Sequence, residues 1–174
     1  MAAASPELDA VVGLGSNLGD RRAILSDGVR KLGALGRITA VSNAYETDPI
    51  GPAQPTFLNG AVRLHTREAP LELLQQMLEI ERAAGRVRLE RWGPRTLDLD
   101  LLWIDGLSLD LPGLTVPHRE LPLRAFALLP LVEVAPAAVD PRSGRPYTEL
   151  LSTVSGQGVR RLAERLDFGL NSSS

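Results

Sequence analysis

Ten residues, RWGPRTLDLD from Arg91 to Asp100, bring together a Trp, a Gly-Pro turn, two arginines and two aspartates. In a strand the side chains alternate, so Asp98 and Asp100 point one way while Leu97, Leu99 and Leu101 point the other. Two carboxylates on one face repel unless a cation lies between them, and the spacing therefore suggests a metal site. Arginines crowd the approach: Arg82, Arg86, Arg88, Arg91 and Arg95 are opposed within the run by Glu90 alone. Lys31 is the only lysine, so Arg-rich usage is general here, but the clustering is not. Mg²⁺ is typically held by one or two carboxylates plus substrate phosphates, and guanidinium groups share the neutralisation of phosphoryl oxygens. The combination fits a polyphosphate site.

Other residues have the chemistry to hold a planar ligand. Phe57 and Asn59 share one face of a strand, where an aromatic ring could stack on a heterocycle and an amide could read its edge. Trp92 and Phe126 are the other aromatics near polar positions. His118, in TVPHREL, is followed by Arg119 and Arg124, a setting for a phosphate contact. Gly13, Gly15 and Gly19 space as G-x-G-x-x-x-G, not as the dinucleotide-binding G-x-G-x-x-G, and GLGSNLG reads as a tight turn with an N-cap. No P-loop and no protein-kinase catalytic loop occurs, so any nucleotide is held another way.

Those residues must be placed by regular elements. LDAVVGLG is a short buried strand, with Asn17 and Asp20 as candidate N-caps for a helix whose stripe is Leu25, Val29 and Leu32 and which Gly33 and Gly36 end. RITAVSNAYET is β-rich, DPIGPAQP is a loop, and FLNGAVRLH is a strand with Leu58, Val62 and Leu64 on one face. APLELLQQMLEIERAAG is a second helix with Pro70 in its first turn and a stripe of Leu71, Leu74 and Leu78. TLDLDLLWI is the fourth strand, and DGLSLD turns into a short edge strand. The order βαββαβ fits a ferredoxin-like α+β fold, an antiparallel sheet with helices on one face. Beyond it come a Leu-rich helical segment broken by Pro130, a polar stretch around DPRSGRP, and a tail, 171–174, expected to be disordered after a single domain over 1–170.

Composition bounds the function. The 174 residues are 44% hydrophobic and 23% charged, ordinary for a globular domain. No apolar run of about eighteen residues exists, the start MAAASPELDA has no signal-peptide pattern, and there is no Cys for disulfides or a thiolate zinc site, which fits the cytoplasm. A net charge of −2 argues against general affinity for nucleic acid. The βαββαβ order is shared with RNA-recognition modules, yet FLNGAVRL and TLDLDLLW lack the aromatic motif such modules need. A metal-dependent phosphodiesterase using the Asp pair and His118 is a further alternative.

The segments GLGSNLGD, YETDPIGP, FLNGAV, GRVRLERWGPRTLDLDLL and LTVPHRELPLRAF closely resemble the 6-hydroxymethyl-7,8-dihydropterin pyrophosphokinase family, as far as about Pro136. The resemblance implies a ferredoxin-like βαββαβ core extended by further strands and helices. It also implies transfer of the terminal diphosphate of ATP to the pterin hydroxymethyl oxygen, with release of AMP, by a monomer acting on small molecules. By the same resemblance Asp98 and Asp100 hold two Mg²⁺ ions, Phe57 and Phe126 sandwich the pterin, and Asn59 reads its edge. Thr47, Ile50 and Trp92 belong to the pterin side. Arg86, Arg88 and Arg95 meet phosphates as catalytic arginines, and Glu81, His118 and Arg124 join Arg88 and Arg95 at ATP. The proline loop and the Arg-rich loop would close over both substrates. The chain departs from the best-known member in having Phe57 for Tyr, Asp48 for a proline, Leu78 for a Gln near the ribose, and one residue fewer between Arg88 and Arg91.

Overall fold

The computed structural model describes residues 6–48, 55–85 and 96–168. β1 (Leu8–Ser16) is nearly continuous in buried residues because it lies inside a six-stranded antiparallel sheet with both faces covered. It is flanked by β4 (Phe57–Thr66) and β5 (Asp98–Ile104). The β-rich stretch after the first helix divides at Ser42 into β2 (Arg37–Val41) and β3 (Asn43–Thr47), which pair with successive halves of β4. At the break the Ser42 side chain accepts the Ala61 N–H at 2.9 Å, so no ladder donor is left bare. Along the sheet the order is β5-β1-β4-β3, with β8 (Val159–Arg165) added at the edge beyond β3. β6 (Leu109–Leu111) and β7 (Leu114–Val116) form a separate two-stranded hairpin, where a single short edge strand was expected.

Helix α1 (Arg21–Leu32) buries Leu25, Val29 and Leu32 as its periodicity requires. Its N-cap is Asp20, which accepts the Ala23 N–H at 3.1 Å, whereas Asn17 reaches the Pro55 carbonyl. Helix α2 (Pro70–Ala83) starts at Pro70 but turns a different stripe inward. Leu73, Met77 and Ile80 are buried, while Leu71 and Leu78 are 47% and 37% exposed. Both stripes satisfy helical spacing. The Leu73–Met77–Ile80 row is the one that meets the sheet-face core, and Glu81 comes inside with it.

These two helices pack with Ala10, Val12, Leu14, Leu97, Leu99 and Leu101 on one sheet face. Each fully buried Leu there contributes about 1.5–3 kcal/mol. The other face is not open. Val11, Ala61, Leu102 and Trp103 are covered by α3 (Ala125–Val134) and by Tyr147 and Val154 of the following 3-10 segment. Helices therefore lie on both faces, and α3 runs straight through Pro130. Proline costs the helix a hydrogen bond, but Leu128, Leu131 and Val134 on both sides of it are buried against the sheet and hold the helix together.

β5 carries a bulge. Val12 faces Leu101 and Val11 faces Trp103, so Leu102 is an extra residue. Before it, Leu97, Leu99 and Leu101 face α1 and α2. After it, Trp103 has crossed to the α3 side and Ile104 to the other.

Candidate active site

Between the sheet and the chain leading into α3 is a cavity of about 430 Å³, lined by the ends of β1 and β3, the starts of β4 and β5, and residues 118–127. Cross-strand register explains its floor. Gly13 pairs with Asp100 and Gly15 with Asp98, so each carboxylate stands opposite a residue with no side chain. The glycines belong to β1 itself, and of the three only Gly19, at φ +70, makes the turn expected of the motif. Their two-residue spacing, the same as that of the Asp pair, was the available signal.

Gly15 also faces Asn59 on β4. A Cβ at Gly15 would lie 2.6 Å from Asn59 Oδ1, so only glycine lets the amide occupy its position. Asn59 Nδ2 donates to Thr47 Oγ1 at 2.5 Å, fixing the amide from the other side. Phe57 pairs with Thr47 one step toward the mouth. Its approach is held by Asn17, whose Nδ2 donates to the Pro55 carbonyl at 3.2 Å, and by Arg21, whose Nη1 donates to the Thr56 carbonyl at 2.9 Å. Phe57, Asn59 and Thr47 thus form one sheet-borne patch. Phe126, at the start of α3, lines the cavity from the other wall.

His118 and Arg124 complete that second wall. The His118 N–H donates to the Leu102 carbonyl at 2.8 Å, tying the segment to β5 just past the acids. Burial, assisted by the positive charge of Arg124 and opposed by Glu120 and Asp98, holds the imidazole pKa below its ordinary value, which favours the neutral ring. The Glu120 N–H points at Nδ1 (3.2 Å), which assigns the proton to Nε2, and Nε2 lies 3.8 Å from Asp100 Oδ1. That contact is a polar one, not an ion pair. Arg124 is paired with Glu120, and its guanidinium carbon lies 5.5 Å from the centre of the Phe126 ring.

The cavity therefore brings together Thr47, Phe57, Asn59, Asp98, Asp100, His118, Arg124 and Phe126. Glu81 is not with them: 3% exposed on α2, it accepts the Leu99 N–H at 2.8 Å on the sheet-edge strand β5. Leu78 lies on the outer side of α2. Ile50, Arg86, Arg88, Trp92, Arg95, most of both loops expected to close, and the tail 171–174 lie outside the described residues. Gly13, Gly15, Asp48 and Glu120 line the cavity without having been singled out for it.

Asp98 and Asp100 offer hard oxygen donors to a cation. Among the described residues no set of three or more His, Cys, Asp or Glu is arranged to hold a metal.

The model of one family, 7,8-dihydro-6-hydroxymethylpterin-pyrophosphokinase (HPPK), matches residues 11–136. Two proteins named 2-amino-4-hydroxy-6-hydroxymethyldihydropteridine pyrophosphokinase are close relatives. That of Synechocystis sp. is 43% identical over 92% of this chain and 83% of its own, and that of Pseudomonas aeruginosa is 47% identical over 87% and 94%. Among solved structures, a Plasmodium falciparum HPPK-DHPS with pteroate superposes with a TM-score of 0.65 at 15% identity, and another with pterin and p-hydrobenzoate gives 0.68 at 14%. The matches cover 87% and 92% of this chain but only 44% and 48% of those longer ones, and at that identity they speak to the fold, which agrees with the ferredoxin-like reading.

Proposed function

From the premise that the chain belongs to the 7,8-dihydro-6-hydroxymethylpterin-pyrophosphokinase family, we propose that the cavity between the sheet and α3 is its active site. The protein is an ATP-dependent diphosphokinase that transfers the pyrophosphoryl group of ATP to 6-hydroxymethyl-7,8-dihydropterin in folate synthesis. ATP is its co-substrate. The observation that carries the assignment of the site is the meeting of an acid pair, two aromatic rings and a fixed amide in one cavity.

In this reading the pterin ring lies between Phe57 and Phe126, and Asn59, held by Thr47, reads its edge. Ile50 and Trp92 complete the pterin side. The triphosphate lies toward Asp98 and Asp100, within reach of His118 and Arg124. Arg124 exchanges Glu120 for a phosphate oxygen, and neutral His118 donates through Nε2. Arg86, Arg88 and Arg95 supply further positive charge. The hydroxymethyl oxygen attacks the β-phosphorus and gives up its proton to solvent, the bond between the β-phosphorus and the oxygen bridging it to the α-phosphate breaks, and AMP leaves. Two Mg²⁺ ions, held by Asp98 and Asp100, would neutralise phosphoryl charge. The residues otherwise position and pre-organise, which is the main demand of phosphoryl transfer.

The reading extends to a cytoplasmic monomer that acts on small molecules and not on nucleic acid. The net charge of −2 supports the last part. Among the described residues no helix is long and apolar enough to cross a membrane. Incubation with ATP, Mg²⁺ and the hydroxymethyl pterin should release AMP in equal amount to pterin consumed. Nucleotide hydrolysis that proceeds equally well without pterin would instead indicate the phosphodiesterase alternative. Loss of pterin binding in both Phe57→Ala and Phe126→Ala tests the site itself.

A further inference from the structure

The start of α3 has no local cap. Its N-cap residue is Arg124, which carries no acceptor oxygen, and no side-chain hydrogen bond closes there. The Ala125 N–H, one of the orphan donors of a helix start, is met from far along the chain: Gln157 Oε1 accepts it at 2.9 Å. The same amide donates through Nε2 to the Leu123 carbonyl at 3.0 Å. Gln157 thus grips the backbone on both sides of Arg124.

The consequence falls on the cavity. Arg124 sits inside the grip and Phe126 is the next residue but one, and both line the cavity wall. A Ser or Asp in place of Arg124 could cap the helix locally, but an arginine held there for its charge cannot. Gln157 supplies the missing acceptor at a distance. Its loop is built to reach: Gly156 and Gly158 flank it at φ +89 and +69, and Val154 and Val159 anchor the loop in the cluster under α3. A Cβ at Gly158 would come 3.2 Å from Asp48 Oδ2, so the loop also abuts the sheet side of the cavity mouth. Gln157 itself is exposed, and it lies beyond residue 136, where the family match ends.

We infer that Gln157 is a positioning residue for the reaction, which fixes Arg124 and Phe126 in the substrate wall by bracing the Leu123–Ala125 backbone. The inference rests on the reading that this wall contacts pterin and ATP. Because Gln157 is exposed and, among the described residues, its side chain bonds to that backbone, its removal should cost affinity more than stability.

The test uses Gln157→Ala and the near-isosteric Gln157→Met, which keeps the side-chain volume and loses both bonds, with Phe126→Ala as reference. Pterin affinity is measured by calorimetry in the presence of a non-hydrolysable ATP analogue and Mg²⁺, alongside steady-state kinetics and thermal unfolding. Both Gln157 variants should weaken pterin binding and raise its KM by roughly tenfold, the scale of one to two lost hydrogen bonds, with kcat within about twofold. Combined with Phe126→Ala, Gln157→Ala should add much less than its separate effect, since both act through one contact. If Phe126→Ala weakens pterin while both Gln157 variants bind it normally, or lower only the unfolding temperature, the inference is overturned and the site reading stands. If Phe126→Ala itself leaves affinity intact, the site reading fails and takes the inference with it. Should Gln157→Ala not fold, Gln157→Met decides.

Discussion

The two walls of the cavity are held by different means. On the sheet wall, Thr47, Phe57, Asn59, Asp98 and Asp100 sit on strands whose register is set by continuous ladders, and the alternation of the chain aims each side chain. On the facing wall, His118, Arg124 and Phe126 hang from irregular chain and one helix end. They are tied back by the bond from the His118 N–H to the Leu102 carbonyl and by the two bonds that join the Gln157 amide to the Leu123 carbonyl and the Ala125 N–H, while Arg142 holds the chain before His118 by donating to Ser108, Leu109 and Val116. A ladder spreads a perturbation over many bonds, whereas a strut either holds or does not. The sheet wall suits groups that must keep a fixed mutual geometry, and the strutted wall suits groups that exchange partners, as Arg124 does if it leaves Glu120 for phosphate.

If the comparison is right, the largest effect comes from chemistry on the rigid wall. Asp98→Ala and Asp100→Ala should each lower turnover by roughly 10²–10³-fold or more, the scale of losing one preorganised charge-stabilising group. Thermal unfolding should hardly move, because the Asp100 side chain is 46% exposed and Asp98 is only half-buried. A variant with near-native turnover would refute the metal role.

Next is Gly15→Ala. Its Cβ would meet Asn59 Oδ1 at 2.6 Å, and because the ladder cannot yield, the amide must swing away or the strands strain. Overpacking of this kind costs about 1–3 kcal/mol, and pterin affinity should fall by at least about tenfold. Unchanged affinity in calorimetry would show that the sheet wall is softer than described.

Arg142→Ala probes the other wall with a smaller expected effect. Removing its bond to the Val116 carbonyl loosens the approach to His118, and the KM for ATP should rise a few-fold, consistent with a net hydrogen-bond contribution near 1 kcal/mol. A larger effect on kcat than on KM would argue that His118 acts in the transition state and not in binding.

The smallest effect is a pH dependence. Glu133 on α3 accepts the Tyr45 hydroxyl at 2.6 Å and the Asn43 N–H at 2.8 Å, tying the α3 wall to the sheet. Burial pushes its pKa up, but those bonds and Arg161 outweigh it and leave the carboxyl below its ordinary range. A group depressed on folding adds stability above its unfolded pKa, about 4.3, and loses it as pH falls through the folded value. Glu133→Gln should therefore be less stable than the parent at pH 7, by on the order of 1 kcal/mol or less. The gap should close below about pH 4. A constant gap from pH 7 to pH 3 would exclude the charge as its source.

The same division explains what could be read from the sequence. Asp98, Asp100, Phe57 and Asn59 were legible because strand alternation is a local rule, and the βαββαβ order followed from local patterns too. The stripe on α2 was misread, since Leu71–Leu74–Leu78 and Leu73–Met77–Ile80 obey the same spacing and only the shape of the sheet chooses between them. Pro130 was read as a break because the burial that carries α3 through it is tertiary. Gly13 and Gly15 as a cavity floor depend on facing Asp100 and Asp98 across strands, a pairing about 85 residues distant. Gln157 was invisible for a similar reason: its partners lie 32 and 34 residues away.

The bulge at Leu102 makes β5 two half-strands with independent phase. Over 97–101, odd positions are committed to the core and even ones to the cavity; beyond Leu102 that parity reverses. Drift in the sequence is thereby partitioned. An insertion in the turn after Ile104 can be absorbed by the hairpin without rotating the acids, whereas deleting one residue between Leu97 and Leu101 would exchange a leucine for an aspartate in the core. Changes of length are thus tolerated beyond Ile104, where Asp105 and Gly106 are exposed, while positions 97–101 must keep their frame.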